Sequence, residues 1–315
     1  MTFEEVNYLG KKRVPFLFIS DFLAKNIVVI KLEELHLHDI EFCIDENYIY
    51  KKHSKSFETT AQKLKNYHKY KKKFDLVIEE IKSGNTYLLN LTAPTKIRSD
   101  LKLKEIYRYS NANYKLRYKD EFVCFSPEKF IEIRGNKINT YPMKGTIDAS
   151  LEGAKEKILK DEKELAEHIM VVDLLRNDLS IVSKNVKVER FRYVREIDAG
   201  EKKLLQVSSH ISGELENDWQ DRLGDILHSL LPAGSISGTP KKSTLEIIEK
   251  LEEYDRGYFS GVFGVFDGKS FDSGVMIRFV QKSKDGYIYK SGGGVTLDSD
   301  ALREYNELID KIYLP

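Results

Sequence analysis

The sequence predicts a single α+β domain in which clusters of strands pack together under helices. Three observations lead there. Short runs rich in β-branched and aromatic residues recur along the chain. Longer stretches place apolar residues three and four apart. No linker-like segment or internal repeat divides the 315 residues. With 41% hydrophobic and 32% charged residues against only 7 Pro and 19 Gly, a folded globular protein is expected rather than a disordered or low-complexity chain.

In order, short apolar runs such as Asn26-Ile27-Val28-Val29-Ile30 lie among charges between Phe16 and Tyr50, which predicts strands with one wet face. Leu64 through Ile81 has helical spacing and stops at Ser83-Gly84-Asn85, where Gly and Asn accept a left-handed helix end. Strands are predicted over Thr86–Leu91, Glu121–Phe125, Phe130–Arg134 and Lys137–Tyr141. Between Leu151 and Leu179 the pattern is helical, with Leu165, Ile169, Val172 and Leu174 or Leu175 as the apolar stripe and acids on another face. Pro232 to Pro240 excludes regular structure, and a helix from Ser243 to Tyr254 follows. Strands come next at Val262–Phe266, Gly274–Gln281 and Tyr287–Tyr289. A last helix is capped by Asp298-Ser299-Asp300 and is expected to bury Leu302, Tyr305, Leu308, Ile309 and Ile312.

Composition excludes some functions. The 51 basic and 50 acidic side chains cancel, so no global field gathers nucleic acid or anionic membrane. The lysine-rich run Lys63 to Lys73, interleaved with Tyr67, His68 and Tyr70, is read as a solvated helix face rather than an RNA site. Cys43 and Cys124 are too few for a disulfide framework or a four-cysteine zinc site, which fits a reducing compartment. The N-terminal MTFEEVNYLG has acids where a signal peptide needs basic and apolar residues, and no run is long enough to span a membrane. A cytoplasmic location is therefore expected. His168, His210 and His228 are single histidines, read as structural.

Glu164 and Glu167 lie three apart on one predicted helix, and Glu304 and Glu307 lie three apart on another. Each pair projects from one helical face. Two such faces could share a hard divalent cation, since magnesium takes oxygen ligands and usually keeps waters beside one or two carboxylates. In a chain with 50 acids, spacing of this kind is more often only solvated surface.

The order of the surrounding segments is more specific. Phe125-Ser126-Pro127-Glu128 is followed by Tyr141-Pro142-Met143-Lys144-Gly145-Thr146, and then by Glu164-Leu165-Ala166-Glu167-His168 running to Leu179. Leu231 to Lys241, Arg256-Gly257-Tyr258-Phe259-Ser260-Gly261 and Met276-Ile277-Arg278 come next, with Gly292-Gly293-Gly294-Val295 ahead of Glu304-Tyr305-Asn306-Glu307. In this order the blocks resemble the chorismate-utilising enzymes: the anthranilate, isochorismate, salicylate and aminodeoxychorismate synthases. The resemblance implies an anthranilate synthase component I-like fold, two β-sheets packed together and flanked by helices. It also implies a shortened N-terminal part over 1–82, without tryptophan feedback, and a chorismate-binding catalytic region over 83–315.

The resemblance further implies magnesium held directly by Glu167 and Glu307, and through water by Glu164 and Glu304. Arg278 and Tyr258 match positions that grip the enolpyruvyl carboxylate, a contact suited to a guanidinium fork. Ser235, Gly292, Lys311, Ile277, Thr146 and Gln206 are the remaining expected substrate contacts. Gln206 stands where many relatives have histidine, so it can donate a hydrogen bond but cannot become charged.

Leu88 stands where the water-adding members carry a lysine base, so water addition lacks its base. Lys144 marks the aminodeoxychorismate synthases, in which this lysine is implied to attack the ring as a nucleophile, with Glu128 as general acid. As a nucleophile Lys144 must be neutral, which predicts a lowered pKa, and as an acid Glu128 must be protonated near neutral pH. The implied partners are a separate glutamine amidotransferase that supplies ammonia and a separate lyase acting on the product. The alternatives are an anthranilate synthase component and a non-catalytic binding partner.

Overall fold

A computed structural model describes residues 2–44, 58–59, 63–199 and 202–314. Predicted strand positions between 45 and 50 lie outside the described residues. Among the described residues two antiparallel sheets form the centre. The first runs in the order Met143–Asp148, Lys202–Glu214, Lys137–Thr140, Lys129–Arg134, Phe271–Val275, Val262–Phe266, Phe16–Ser20 and Ile27–Lys31, with Lys184–Ala199 also paired to Lys202–Glu214. The second runs Gly238–Thr239, Leu88–Arg98, Gly286–Val295, Phe279–Ser283, Phe122–Ser126, Tyr114–Tyr118 and Ile40–Ile44, with Glu58–Thr59 beside Leu88–Arg98.

Two chain crossings from sheet to sheet shape the middle of the molecule. Strand Phe122–Ser126 of the second sheet continues into Lys129–Arg134 of the first through Pro127 and Glu128. Strand Phe271–Val275 of the first continues into Phe279–Ser283 of the second through Met276 to Arg278. The expected single strand Gly274–Gln281 is thus two strands. Its residues are apolar enough to hide the break, but the backbone turns at Arg278, whose φ of 51° is left-handed. The two crossings bond to each other: the Phe125 amide donates to the Arg278 carbonyl at 3.3 Å, and the Val275 amide donates to the Glu128 carbonyl at 3.1 Å.

Eight helices surround the sheets among the described residues: α1 Phe3–Lys11, α2 Lys63–Lys82, α3 Leu103–Tyr109, α4 Ala154–Lys160, α5 Glu162–Val182, α6 Leu223–Leu230, α7 Lys241–Glu252 and α8 Ala301–Asp310. Helix α2 ends as its sequence requires, with Gly84 left-handed at φ 76°. Its Tyr67 and Tyr70 lie 5.3 and 5.5 Å from the Tyr305 ring of α8, while Lys71 pairs with Asp75 and Lys73 with Glu253. The aromatic residues of the lysine run are therefore packing residues rather than stacking platforms for bases.

The core is apolar and closed, with Trp219, Phe16, Phe18, Phe263, Phe266 and Phe279 at most 1% exposed. Both cysteines are free thiols, Cys124 fully buried. No helix among the described residues is long and apolar enough to cross a membrane.

The helix stripes differ from the apolar pattern at one position each. On α5 Ile169 is 49% exposed while Glu167 and His168 are buried, and on α8 Leu302 is 51% exposed while Glu304 is buried. Most of each stripe is buried as expected, Val172, Leu174 and Leu175 on α5 and Tyr305 and Leu308 on α8, so the departure is confined to Ile169 and Leu302 beside the buried acids.

Candidate active site

A cleft of about 600 Å³ opens where the two crossings meet the acidic helices. Glu128 and Arg278 come from the crossings. The hairpin arm Met143–Asp148 supplies Lys144 and Thr146, and Gln206 is paired opposite Thr146. The glycines of strand Gly286–Val295 form a floor, with Gly292 opposite Thr92 and Gly294 opposite Asn90. Side chains there would fill the space: a Cβ on Gly292 would lie 2.7 Å from the Leu91 carbonyl oxygen. Ser235, Ile277, Glu164, Glu307 and Lys311 complete the expected residues along the wall, and Leu88 is an apolar part of it.

Glu167 and Glu304, 4% and 7% exposed, are not among the residues that line the cleft, and neither is Tyr258. The Tyr258 ring stacks 5.2 Å from Phe122 and packs 5.7 Å from Tyr118 on the far side of its strand connection. The adjacent Phe259, 2% exposed, lines the cleft instead. Consecutive residues point in opposite directions there, so Tyr258 is corrected from a substrate contact to an aromatic packing residue.

Glu128 is half-buried in the wall and accepts a 2.6 Å hydrogen bond from Ser235 Oγ. Burial raises its pKa, and the Ser235 bond and the nearby cations Arg278 and Lys311 only partly offset this. An acid expected to be protonated near neutral pH needs a shift in this direction. The Arg278 guanidinium stands 5.5 Å over the Tyr313 ring, and its Nε is buried without a hydrogen-bond partner in the chain. Such a donor suits an incoming carboxylate. Lys311 Nζ donates to the Gly292 carbonyl at 2.8 Å and pairs with Glu307, and burial lowers its pKa.

The acids sit on helices α5 and α8. Asp161 caps α5 through the Glu164 amide, and Asp300 caps α8 through the amides of Leu302 and Arg303. Both caps hold the first turn of a helix that carries carboxylates. Glu167 pairs with Lys144 Nζ at 2.6 Å and lies 3.4 Å from Lys163 Nζ, which also reaches within 3.8 Å of Glu304. Lys163, which nothing in the sequence pattern marks, therefore links the two acidic helices.

Burial, reinforced by neighbouring carboxylates, raises Glu164 and Glu304. Glu164 Oε2 is buried without a hydrogen-bond partner, and Glu167 Oε1 is buried with only the Lys163 ammonium at 3.4 Å beside it. Crowded acids with unpaired buried oxygens fit a hard cation. With the lysines among them, no three of these acids yet converge as a ligand set among the described residues.

Lys144 departs from expectation. Burial pulls its pKa down, but the charges of Glu167, Glu307 and Glu164 outweigh burial, so the net shift is upward and the amine is held as an ammonium. The expected lowering invoked Arg278 or magnesium as the nearby cation, whereas the protein groups that surround this amine most closely are the carboxylates expected to hold that metal.

The histidines are packed. His168 Nε2 is 2.7 Å from Ser209 Oγ, and burial with Arg192 nearby lowers its pKa to about 4. His210 stacks on Tyr141 at 4.7 Å, and His228 lies 4.8 Å from Phe3.

The fold and cleft describe an enzyme built to hold a small anionic substrate between a carboxylate-bearing pair of helices and an arginine. The chain belongs to the family of chorismate binding enzymes, whose description matches residues 21–314. An uncharacterized PabA-like protein of Haemophilus influenzae is 46% identical over 99% of this chain and 95% of its own. An aminodeoxychorismate synthase component 1 of Bacillus subtilis is 31% identical over 76% of this chain and 54% of its own. An anthranilate synthase component 1 of Archaeoglobus fulgidus is also 31% identical, over 78% of this chain and 60% of its own. Among solved structures, a putative 2,3-dihydroxybenzoate-specific isochorismate synthase of Bacillus anthracis superposes with a TM-score of 0.71. It covers 98% of this chain and 87% of its own at 20% identity, and so bears on the fold alone.

Proposed function

We infer that the chain is an aminodeoxychorismate synthase component I, converting chorismate and ammonia to 4-amino-4-deoxychorismate and water. The observation that carries this reading is Lys144 in the same cleft as Glu128 and Arg278, with Leu88 rather than a base in the wall. Arg278 is the group placed to pair with the enolpyruvyl carboxylate. Glu167 and Glu307, with Glu164 and Glu304 behind them, would hold magnesium, which when bound neutralises the ring carboxylate and the acids around it.

Lys144 forms a bond to C2 as the C4–O bond breaks, and Glu128 gives its proton to the departing hydroxyl, which leaves as water. Ammonia then bonds to C4 as the C2–Nζ bond breaks and regenerates the amine. Because Lys144 is held charged by Glu167, it must leave that pair and lose a proton before it can attack. A separate glutaminase is the expected source of ammonia, and a separate lyase the expected consumer of the product, as steps toward 4-aminobenzoate and folate.

One observation favours a second reading. Lys144 is paired with Glu167 at 2.6 Å, and a lysine that stays in that pair is a counter-ion rather than a nucleophile, which leaves direct amination at C2 by an anthranilate synthase component as the second reading. Purified chain with chorismate, magnesium and ammonium salt, followed by mass spectrometry before and after adding a lyase, separates the two. A product that gives 4-aminobenzoate only after the lyase supports the first reading, and fluorescent anthranilate without lyase overturns it. Lys144→Ala should slow amination by at least about 100-fold if the lysine is covalent.

A further inference from the structure

We propose that Asp178 and Arg256 are positioning residues: two buried charged anchors that clamp the loop carrying Ser235 and thereby set the Ser235–Glu128 hydrogen bond. This rests on the reading of Glu128 as the general acid.

Ser235 is in the middle of the three-residue turn Gly234–Ile236, too short to fix its own geometry. Each neighbour is held from outside. On one side Asp178, on the same helix α5 that carries Glu164 and Glu167, accepts from the Gly234 amide and pairs with Lys241 at 3.0 Å. Only glycine fits there, since a Cβ on Gly234 would lie 2.6 Å from Asp178 Oδ2. Lys241 in turn donates to the Leu230 carbonyl at 3.1 Å, tying the start of the loop to its end.

On the other side Arg256 donates to the Ile236 carbonyl at 2.9 Å and to the Asn90 carbonyl at 2.7 Å, joining the loop to the cleft floor. Its remaining donors go to Glu252 at 2.7 Å, and Glu252 accepts from the Thr92 amide at 2.9 Å. Lys290 Nζ fixes the Arg256 carbonyl at 2.8 Å. Arg256, Glu252 and Asp178 are 3, 3 and 5% exposed.

A buried ion pair contributes little net stability over a well-packed apolar replacement, so what it supplies here is direction. Both anchors reach main-chain atoms of the residues immediately before and after Ser235. Their charge partners Lys241 and Glu252 hold the two anchors in place, and each anchor in turn meets the short turn that carries Ser235. A serine hydroxyl displaced by an ångström would no longer meet Glu128.

The test compares Ser235→Ala, Asp178→Asn, Arg256→Lys and Glu252→Gln, singly and each combined with Ser235→Ala. Each anchor variant should slow kcat by roughly 10- to 100-fold with little change in KM for chorismate. In the Ser235→Ala background each should add less than about twofold, because the residue they act through is already gone. Losses that multiply in that background, or that fall on KM alone, overturn the proposal. Thermal melts identify any variant that fails to fold, in which case Asp178→Asn and Glu252→Gln carry the comparison.

An isotope-edited infrared spectrum reads the Glu128 carboxyl without turnover, assigned by difference from Glu128→Gln. The anchor variants should move that band in the same direction as Ser235→Ala does, and an unmoved band overturns the proposal. An inactive wild-type chain would instead defeat the functional reading while leaving the infrared comparison intact.

Discussion

Arg278 carries the chemistry of one wall and an unfavourable backbone together. A non-glycine residue at φ 51° costs on the order of 1 kcal/mol, tolerated here because the sheet crossing requires the turn. Replacing it by Ala or by Gly removes the guanidinium equally, but only Gly relieves the backbone. Both variants should lose chorismate affinity, while calorimetric melting should show Arg278→Gly more stable than Arg278→Ala by about 1 kcal/mol. Equal melting temperatures would contradict the strain. At this scale the sequence was partly legible. Glu128, Lys144, Arg278 and the glycine floor stood in ordered blocks, but Lys163 and Tyr313 carry no spacing signal, and the resemblance that named Tyr258 does not say which way the turn at 257–260 aims each ring. The sign of the Lys144 shift was also hidden, since it depends on which charges the fold brings nearest.

Helices α5 and α8 begin with the same device, an aspartate cap one turn ahead of the acids. Losing such a cap costs about 1 kcal/mol and frays the first turn. Asp161→Ala and Asp300→Ala should therefore weaken magnesium binding beyond their effect on the fold, because Glu164 and Glu304 lie in the turns that loosen. Titration calorimetry with magnesium checks this; an unchanged Kd in both variants would detach the caps from the site. Bound metal should also raise the melting temperature of the wild type, as any ligand of the folded state does, and Glu167→Gln should abolish that rise. The helices were legible from their periodicity, α8 also from its cap, and so was most of each buried stripe. Only Ile169 and Leu302 turn outward, while the neighbouring acids Glu167 and Glu304 are buried, a local exchange that apolar spacing does not mark.

The whole molecule responds to pH through groups such as Lys290, fully inside and held by main-chain carbonyls. Burial lowers its pKa from 10.5 to about 8, only partly opposed by Asp255 and Glu252. Between those values the unfolded chain keeps the proton that the folded chain has released, so stability rises with pH across that window and falls as pH drops through it. Relative to Lys290→Met, wild-type stability measured by denaturant melts should climb between about pH 8 and 10.5, at up to about 1.4 kcal/mol per unit. A flat difference would mean the amine stays charged. The α+β class was readable from local patterns. The allocation of strands to two sheets was not, because pairings such as Phe16 with Phe266 join residues far apart in the chain, and the two crossings leave no mark in hydropathy. Those crossings are stitched to each other by two hydrogen bonds from backbone amides to carbonyls. If one layer slides on the other, the proton source and the anion grip travel together and their separation is preserved.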